Sequence, residues 1–216
     1  AAEKLTIAQL LLEELKIDRI EIASARVSEG EFQGVKGIMA WAEEKGFSKR
    51  IEVLTFVDGG LSIDWMKKTG AKVQNLLTKG SLNHLTHQLK KTPEQHFNEI
   101  AQTIALAHDN NIDTNVYLED WSNGMRNSPE YVFQYLDFLT KQAVKRILLP
   151  DTLGVLIPSE TFNFISQITA RYPDTHFDFH AHNDYDLSVA NVMEAVKAGI
   201  NGLHVTVNGM GERAGN

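Results

Sequence analysis

The stretch HFDFHAHND, residues 176–184, sets His176, His180 and His182 beside Asp178 and Asp184. Successive side chains of a β-strand point to opposite faces, so His176, Asp178, His180 and His182 share one face and Phe177, Phe179 and Ala181 the other. His180 and His182, in H-x-H spacing, can place two imidazoles on one metal ion from a single strand. Zinc, manganese and cobalt accept such nitrogen ligands, with oxygens completing the shell. A solvent-facing edge strand shows the same alternation, so the stretch alone leaves both readings open.

Three other places carry groups that could do chemistry. Glu119 ends the polar face of NVYLED (115–120), where a carboxylate can orient a substrate or act as acid or base. A helix cap or a salt bridge is its plain alternative. DTLG (151–154) puts an Asp, the Thr152 hydroxyl and a Gly at a strand-to-helix turn, where capping the next helix is the simpler role. NGMGERAGN (208–216) interleaves glycines with Glu212, Arg213 and Asn216, a tight loop that lets backbone approach a ligand. His84, His87, His96 and His108 fall on helical or loop stretches and read as surface residues, His84 lying nearest a strand end.

The elements that must position these groups alternate along the whole chain. Short β-branched runs at 17–23, 50–57, 72–78, 113–120, 146–151, 176–182 and 202–209 read as strands. Helical apolar spacing covers 93–111, 129–143, 158–171 and 186–198, with Pro129 and Pro158 in a first turn and Gly199 at a C′ position. Strands interleaved with helices are parallel βα units. A doubly wound sheet covered on both faces would have nearly continuous apolar strands. Here Val116 and Leu118 oppose Asn115, Tyr117 and Glu119, and Leu203, Val205 and Val207 oppose His204, Thr206 and Asn208. Polar inward faces of that kind suit an α/β TIM (β/α)8 barrel, whose site sits at the C-terminal ends of the strands. The count predicts a single catalytic domain over 1–216 that lacks the barrel's first strand and last helix. It also predicts an open seam between the strands at 17–23 and 202–209, with His180, His182, Glu119 and Thr152 converging at one mouth.

Composition bounds the class. A chain of 216 residues, 43% hydrophobic, can bury a sizeable core. A net charge of −7 argues against nucleic acid, whose phosphates ask for clustered Lys and Arg. No apolar run approaches the roughly 20 residues of a membrane helix, and the charged, amphipathic AAEKLTIAQLL is no signal peptide. Without cysteine, any metal site uses nitrogen and oxygen ligands. The expectation is a cytoplasmic enzyme or binding domain.

Taken together, FHAHNDYDLSVANVMEAVKAGINGLHVTVNGMGERAGN (179–216) resembles the last βαβ unit of the α-isopropylmalate, homocitrate and citramalate synthases. These are metal-dependent TIM barrels of the wider HMG-CoA-lyase-like group. DRIEIASARVSEGEF, NLLTKGSLNHLTHQLKKTPEQH, YLED and LPDTLG follow in family order, and GERAGN suggests the synthases over the lyases. The resemblance implies a Claisen condensation of acetyl-CoA with a 2-oxo acid, 2-oxoisovalerate favoured, in leucine biosynthesis. It further implies a divalent metal (zinc, manganese, magnesium or cobalt) and a homodimer. His180 and His182 would be metal ligands, with Asn216 at or beside the metal. Glu119 would be the catalytic carboxylate and Thr152 the contact to the oxo acid, with Gln74 and Tyr117 also facing substrate. An Arg–Asp pair of the family's first strand, and the region that completes the synthase site, do not occur in this sequence. Gln74 aligns where relatives often carry His, and Tyr117 where some carry a small residue. A lyase-type C–C cleavage and a non-catalytic barrel-derived binding domain remain as alternatives.

Overall fold

The computed structural model describes residues 2–216. Seven strands run β1 (Ile20–Ser24), β2 (Ile51–Phe56), β3 (Val73–Lys79), β4 (Asp113–Glu119), β5 (Val144–Asp151), β6 (Phe177–Ala181) and β7 (Gly202–Leu203). The helices are α1 (Ala2–Gln9), α2 (Glu29–Lys45), α3 (Leu61–Thr69), α4 (Pro93–Asp109), α5 (Trp121–Asn127), α6 (Pro129–Leu139), α7 (Pro158–Arg171) and α8 (Ser188–Lys197). The strands form one sheet in strict chain order, β1 to β7, and β1–β2, β2–β3, β5–β6 and β6–β7 pair in parallel. Parallel neighbours need a crossover, here helical each time. A doubly wound sheet reverses its strand order at a switch point; this one never does, which is the topology of a TIM-barrel wall.

The chain packs as two compact units, 1–77 with 99–115 and 78–98 with 116–216. In the first, Ile38, Met39 and Ala42 of α2 and Ile63 and Met66 of α3 bury against Ile51 and Val53 of β2. Helix α2 is bounded as its sequence dictates. The Ser28 hydroxyl accepts the Glu31 N–H at 3.1 Å, and Gly46 closes the other end at φ 73°. In the second unit Pro129 and Pro158 open α6 and α7. Trp121, Tyr135, Leu136, Leu148, Phe177 and Phe179 are fully buried between helices and strands.

Several boundaries differ from the sequence reading. The strand expected over 202–209 is only Gly202–Leu203, and Val205, Val207 and Met210 stand exposed. Asn208 takes a left-handed φ of 57°, which breaks strand geometry. Helix α8 starts at Ser188, because Asp186 is left-handed and the Asn183 side-chain oxygen caps the Ser188 N–H at 3.1 Å. Helix α4 ends at Asp109 and α6 at Leu139. His96 is not a surface residue. It is 1% exposed, and its Nε2 accepts the Lys79 N–H at 3.2 Å, fixing the end of β3.

The second unit contains one very close backbone approach. The Gly80 N–H donates to the Glu119 carbonyl at 2.6 Å, and a Cβ on Gly80 would run into the Leu118 carbonyl. Gly124 of α5 lies directly on the Gly80 carbonyl and would meet Val132 at 2.9 Å. In an open helix Gly→Ala gains up to ~1 kcal/mol. Here overpacking reverses the sign, and Gly124→Ala is expected to cost about 1–3 kcal/mol, read as a lower midpoint in urea unfolding. A raised midpoint would show that α5 is free to move off Gly80.

Candidate active site

In the second unit β4 ends at Glu119, β5 at Asp151 and β6 at Ala181, and their tips are tied together. The Thr152 hydroxyl accepts the Asp120 N–H at 2.8 Å, the Asp151 carbonyl accepts the His182 N–H at 3.3 Å, and the Gly215 carbonyl accepts the Asn183 N–H at 2.9 Å. Glu119, Thr152, His180, His182 and Asn216 are thereby brought to one end of the parallel strands.

Imidazoles fill one side. His180 Nδ1 lies 3.0 Å from the His204 carbonyl, which can only accept, so this nitrogen carries the proton. The lone pair is then on Nε2, 3.0 Å from the Asn216 amide nitrogen. His204 Nδ1 sits 3.0 Å from His180 Nδ1 and 3.0 Å from the Tyr117 hydroxyl, and the His180 and His182 rings stand edge to face at 4.9 Å. Burial first, then the His204 and His182 imidazoles, push the His180 pKa down to about 3. His182 is lowered too, by burial and then by the Arg213 guanidinium. Both rings are therefore neutral lone-pair donors at pH 7.

Charged groups fill the other side. Lys79 Nζ forms an ion pair with Glu119 Oε2, the two side chains being only 14% and 23% exposed. His84 bridges the next two carboxylates, its Nδ1 4.0 Å from Glu119 Oε1 and its Nε2 3.4 Å from Asp120 Oδ2. Asp120 is itself buried and accepts from the Ser81 hydroxyl at 2.6 Å and the Asn123 amide at 2.8 Å.

The GERAGN loop closes this end. Arg213 donates to both Asp184 oxygens, at 2.8 and 3.0 Å, and to the Thr152 carbonyl at 2.6 Å. Gly215, at φ 88°, lies so close to the Gly209 carbonyl that no side chain fits. These fastenings hold Asn216 against His180. Arg213 is a fastener here, with its donors spent on protein.

Gln74 needs correction. Along β3, Asn75, Leu77 and Lys79 share one face and Gln74 points to the other. Its buried amide bonds Thr55 at 2.9 Å and Thr114 at 2.8 Å within the first unit. The strand residue that reaches Glu119 is Lys79. The sequence reading does not single out Lys79 or His204, and it places His84 among surface histidines, nearest a strand end. His204 lay in plain view on the polar side of VTVNG's strand, and Lys79 follows from the parity that selects Asn75.

Does this set suit a metal? His180 has the geometry of a ligand, with one ring nitrogen donating to a carbonyl and the other presenting its lone pair. His182 Nδ1 is buried with no hydrogen-bond partner. The Asn216 amide can offer oxygen in place of nitrogen. Two neutral imidazoles and an amide fit a divalent ion as part of its shell, although among the described residues no three His, Asp or Glu converge on one point.

Known proteins agree with this architecture. The 2-isopropylmalate synthase of Sulfolobus acidocaldarius is 32% identical over 99% of this chain and 53% of its own length. A putative (R)-citramalate synthase of Methanopyrus kandleri is 30% identical over 99% of the chain and 40% of its length. The chain thus spans about half the length of the curated relatives it matches. In three dimensions it superposes on the Bacillus subtilis HMG-CoA lyase with a TM-score of 0.74, at 20% identity, over 98% of this chain and 71% of that one. That likeness speaks to the TIM-barrel-like fold. A family model described as HMGL-like matches residues 1–216, and the chain belongs to the HMGL-like family.

Proposed function

We propose that the protein carrying this chain is an acyltransferase that condenses acetyl-CoA with a 2-oxo acid, then hydrolyses the thioester. The observation that carries the reading is the placement of a carboxylate, Glu119, and of neutral imidazoles at the same end of the strands, in a chain whose relatives include 2-isopropylmalate, citramalate and homocitrate synthases. Among acceptors, 2-oxoisovalerate is favoured, because several relatives at 30–34% identity are 2-isopropylmalate synthases.

Glu119 is the group that takes a proton from the acetyl methyl. Lys79 holds Oε2 and so leaves Oε1 as the working oxygen. The Thr152 hydroxyl uses its oxygen on the Asp120 N–H, which leaves its own proton to donate to a carboxylate of the acceptor. The Tyr117 hydroxyl, hydrogen-bonded to His204, lies beside His180 and walls the acceptor's side-chain end. His180, His182 and Asn216 would hold a divalent metal. Such an ion would supply Lewis acidity toward the acceptor carbonyl. The proposed homodimer and leucine-pathway role rest on the relatives.

Two outcomes test the reading. In the intact protein, Glu119→Gln should lower kcat about 100-fold or more, while the melting temperature moves by less than about 4 °C, roughly 1 kcal/mol in a chain this size. Normal turnover with a large melting shift would make Glu119 a structural anchor for Lys79. The second outcome concerns the metal. Neutral donors bind hard or borderline ions poorly without an anionic ligand. Glu119 is paired with Lys79, and Asp184 with Arg213. Calorimetry on residues 1–216 should therefore find manganese or zinc binding weaker than micromolar, on the order of 10 µM or above, and His180→Ala should remove it. Nanomolar binding would show that an anionic ligand joins the set.

A further inference from the structure

His84 stands apart from the groups used so far. It opens a π-helical turn, His84–Leu89, just after the Gly80–Ser81 bend. The Ser81 hydroxyl accepts the His84 N–H at 3.1 Å and donates to Asp120 Oδ2 at 2.6 Å. Backbone and carboxylate are thus held by one serine, and the ring is aimed between Glu119 and Asp120. Its Nδ1 is buried without a hydrogen-bond partner, 4.0 Å from Glu119 Oε1. That exceeds a hydrogen bond by about 1 Å, a gap that a small side-chain rotation closes. A cavity of about 610 Å³ adjoins His84, lined also by Ser81, Asp120, Asn123, Asn127 and Leu153. Leu153 is 43% exposed, so the rim of this cavity is at the surface.

We propose that His84 relays protons between Glu119 and solvent in that cavity. This rests on the condensation reading for Glu119 and adds an exit to it. The O–H bond on Glu119 Oε1 breaks as an N–H bond forms on neutral His84 Nδ1, regenerating the carboxylate. The resulting imidazolium keeps its Nε2–H toward Asp120, and the Nδ1–H bond then breaks to a cavity water, which carries the proton away and restores the Nδ1 lone pair. The charged groups that face His84 are Glu119 and Asp120 from the end of β4, and Lys79 from the end of β3 through its pair with Glu119. His87, on the same turn, bonds the Asn83 carbonyl and the Thr86 hydroxyl, and Asn123, Asn127, Ser128 and Leu153 bring no charge. Lys79 holds Oε2, so the His84 ring is the group placed to take the proton from Oε1, and the rate of resetting Glu119 then depends on this ring.

The test uses the intact protein with acetyl-CoA and a 2-oxo acid. His84→Ala should lower kcat about 100-fold, leave KM for both substrates within about twofold, and regain turnover when imidazole is added, because the freed space opens to the cavity. His84→Gln should show the same loss without rescue. Turnover of His84→Ala near wild type at every pH, or a loss that imidazole leaves untouched, overturns the relay. The relay has a readout apart from activity. The His84 titration followed by NMR should shift when Glu119 becomes Gln, and an unchanged titration removes the coupling. A wild-type protein that forms no condensation product sinks the reaction reading alone, since the NMR comparison still decides the relay.

Discussion

Two backbones meet at Gly80, and most of the site hangs from that crossing. The Gly80 N–H on the Glu119 carbonyl fixes the tip of β4 against the tip of β3. Lys79 on one side of the crossing then reaches Glu119, and Ser81 on the other reaches Asp120. A side chain at position 80 would part these backbones, and both polar pairs with them. Gly124 repeats the requirement from the helix side. The demand is steric, yet what it secures is electrostatic, since an ion pair so little exposed gains from short distance far more than it would in water.

The site divides its polarity. One side holds rings stripped of protons by burial, the other holds carboxylates matched to an ammonium and a histidine. Solvation explains the division. A cationic imidazole beside two others in a buried place is costly, so His180 sheds its proton. A buried carboxylate is tolerable only with donors, and Asp120 has Ser81, Asn123 and His84 around it. Neutral lone pairs and a carboxylate base thus coexist at one end of the same strands.

Alternation made much of this legible. Period-two patterning puts Tyr117 and Glu119 on one face of β4 and His180 and His182 on one side of the 176–182 stretch, and in the structure these two rings meet at 4.9 Å, with His182 one residue past the end of β6. Register was the weak point. The family alignment points to Gln74, where relatives often carry His, yet its amide faces Thr55 and Thr114, while strand bounds of 72–78 leave Lys79 just outside the strand. His84 and His96 looked like surface histidines because helical spacing says nothing about what a strand end packs beneath. Their roles come from long-range placement under β3 and β4. The last strand was overread because VTVNG has β-branched residues, while tertiary pairing stops at Leu203.

That early stop at Leu203 separates the site into parts of different durability. The ladder holds β4, β5 and β6 by many backbone bonds, but beyond Leu203 the chain is secured by the His204 N–H on Phe179, by Asn183 on Gly215, and by the Arg213 clasp. Such a segment can open alone, at a free energy well below that of the whole domain. His204 and Asn216 would leave with it, while Glu119 and Thr152 stayed on their strands. The back wall thus rests on the sheet ladder, while the closing wall, which completes the imidazole cluster, rests on loop and side-chain bonds.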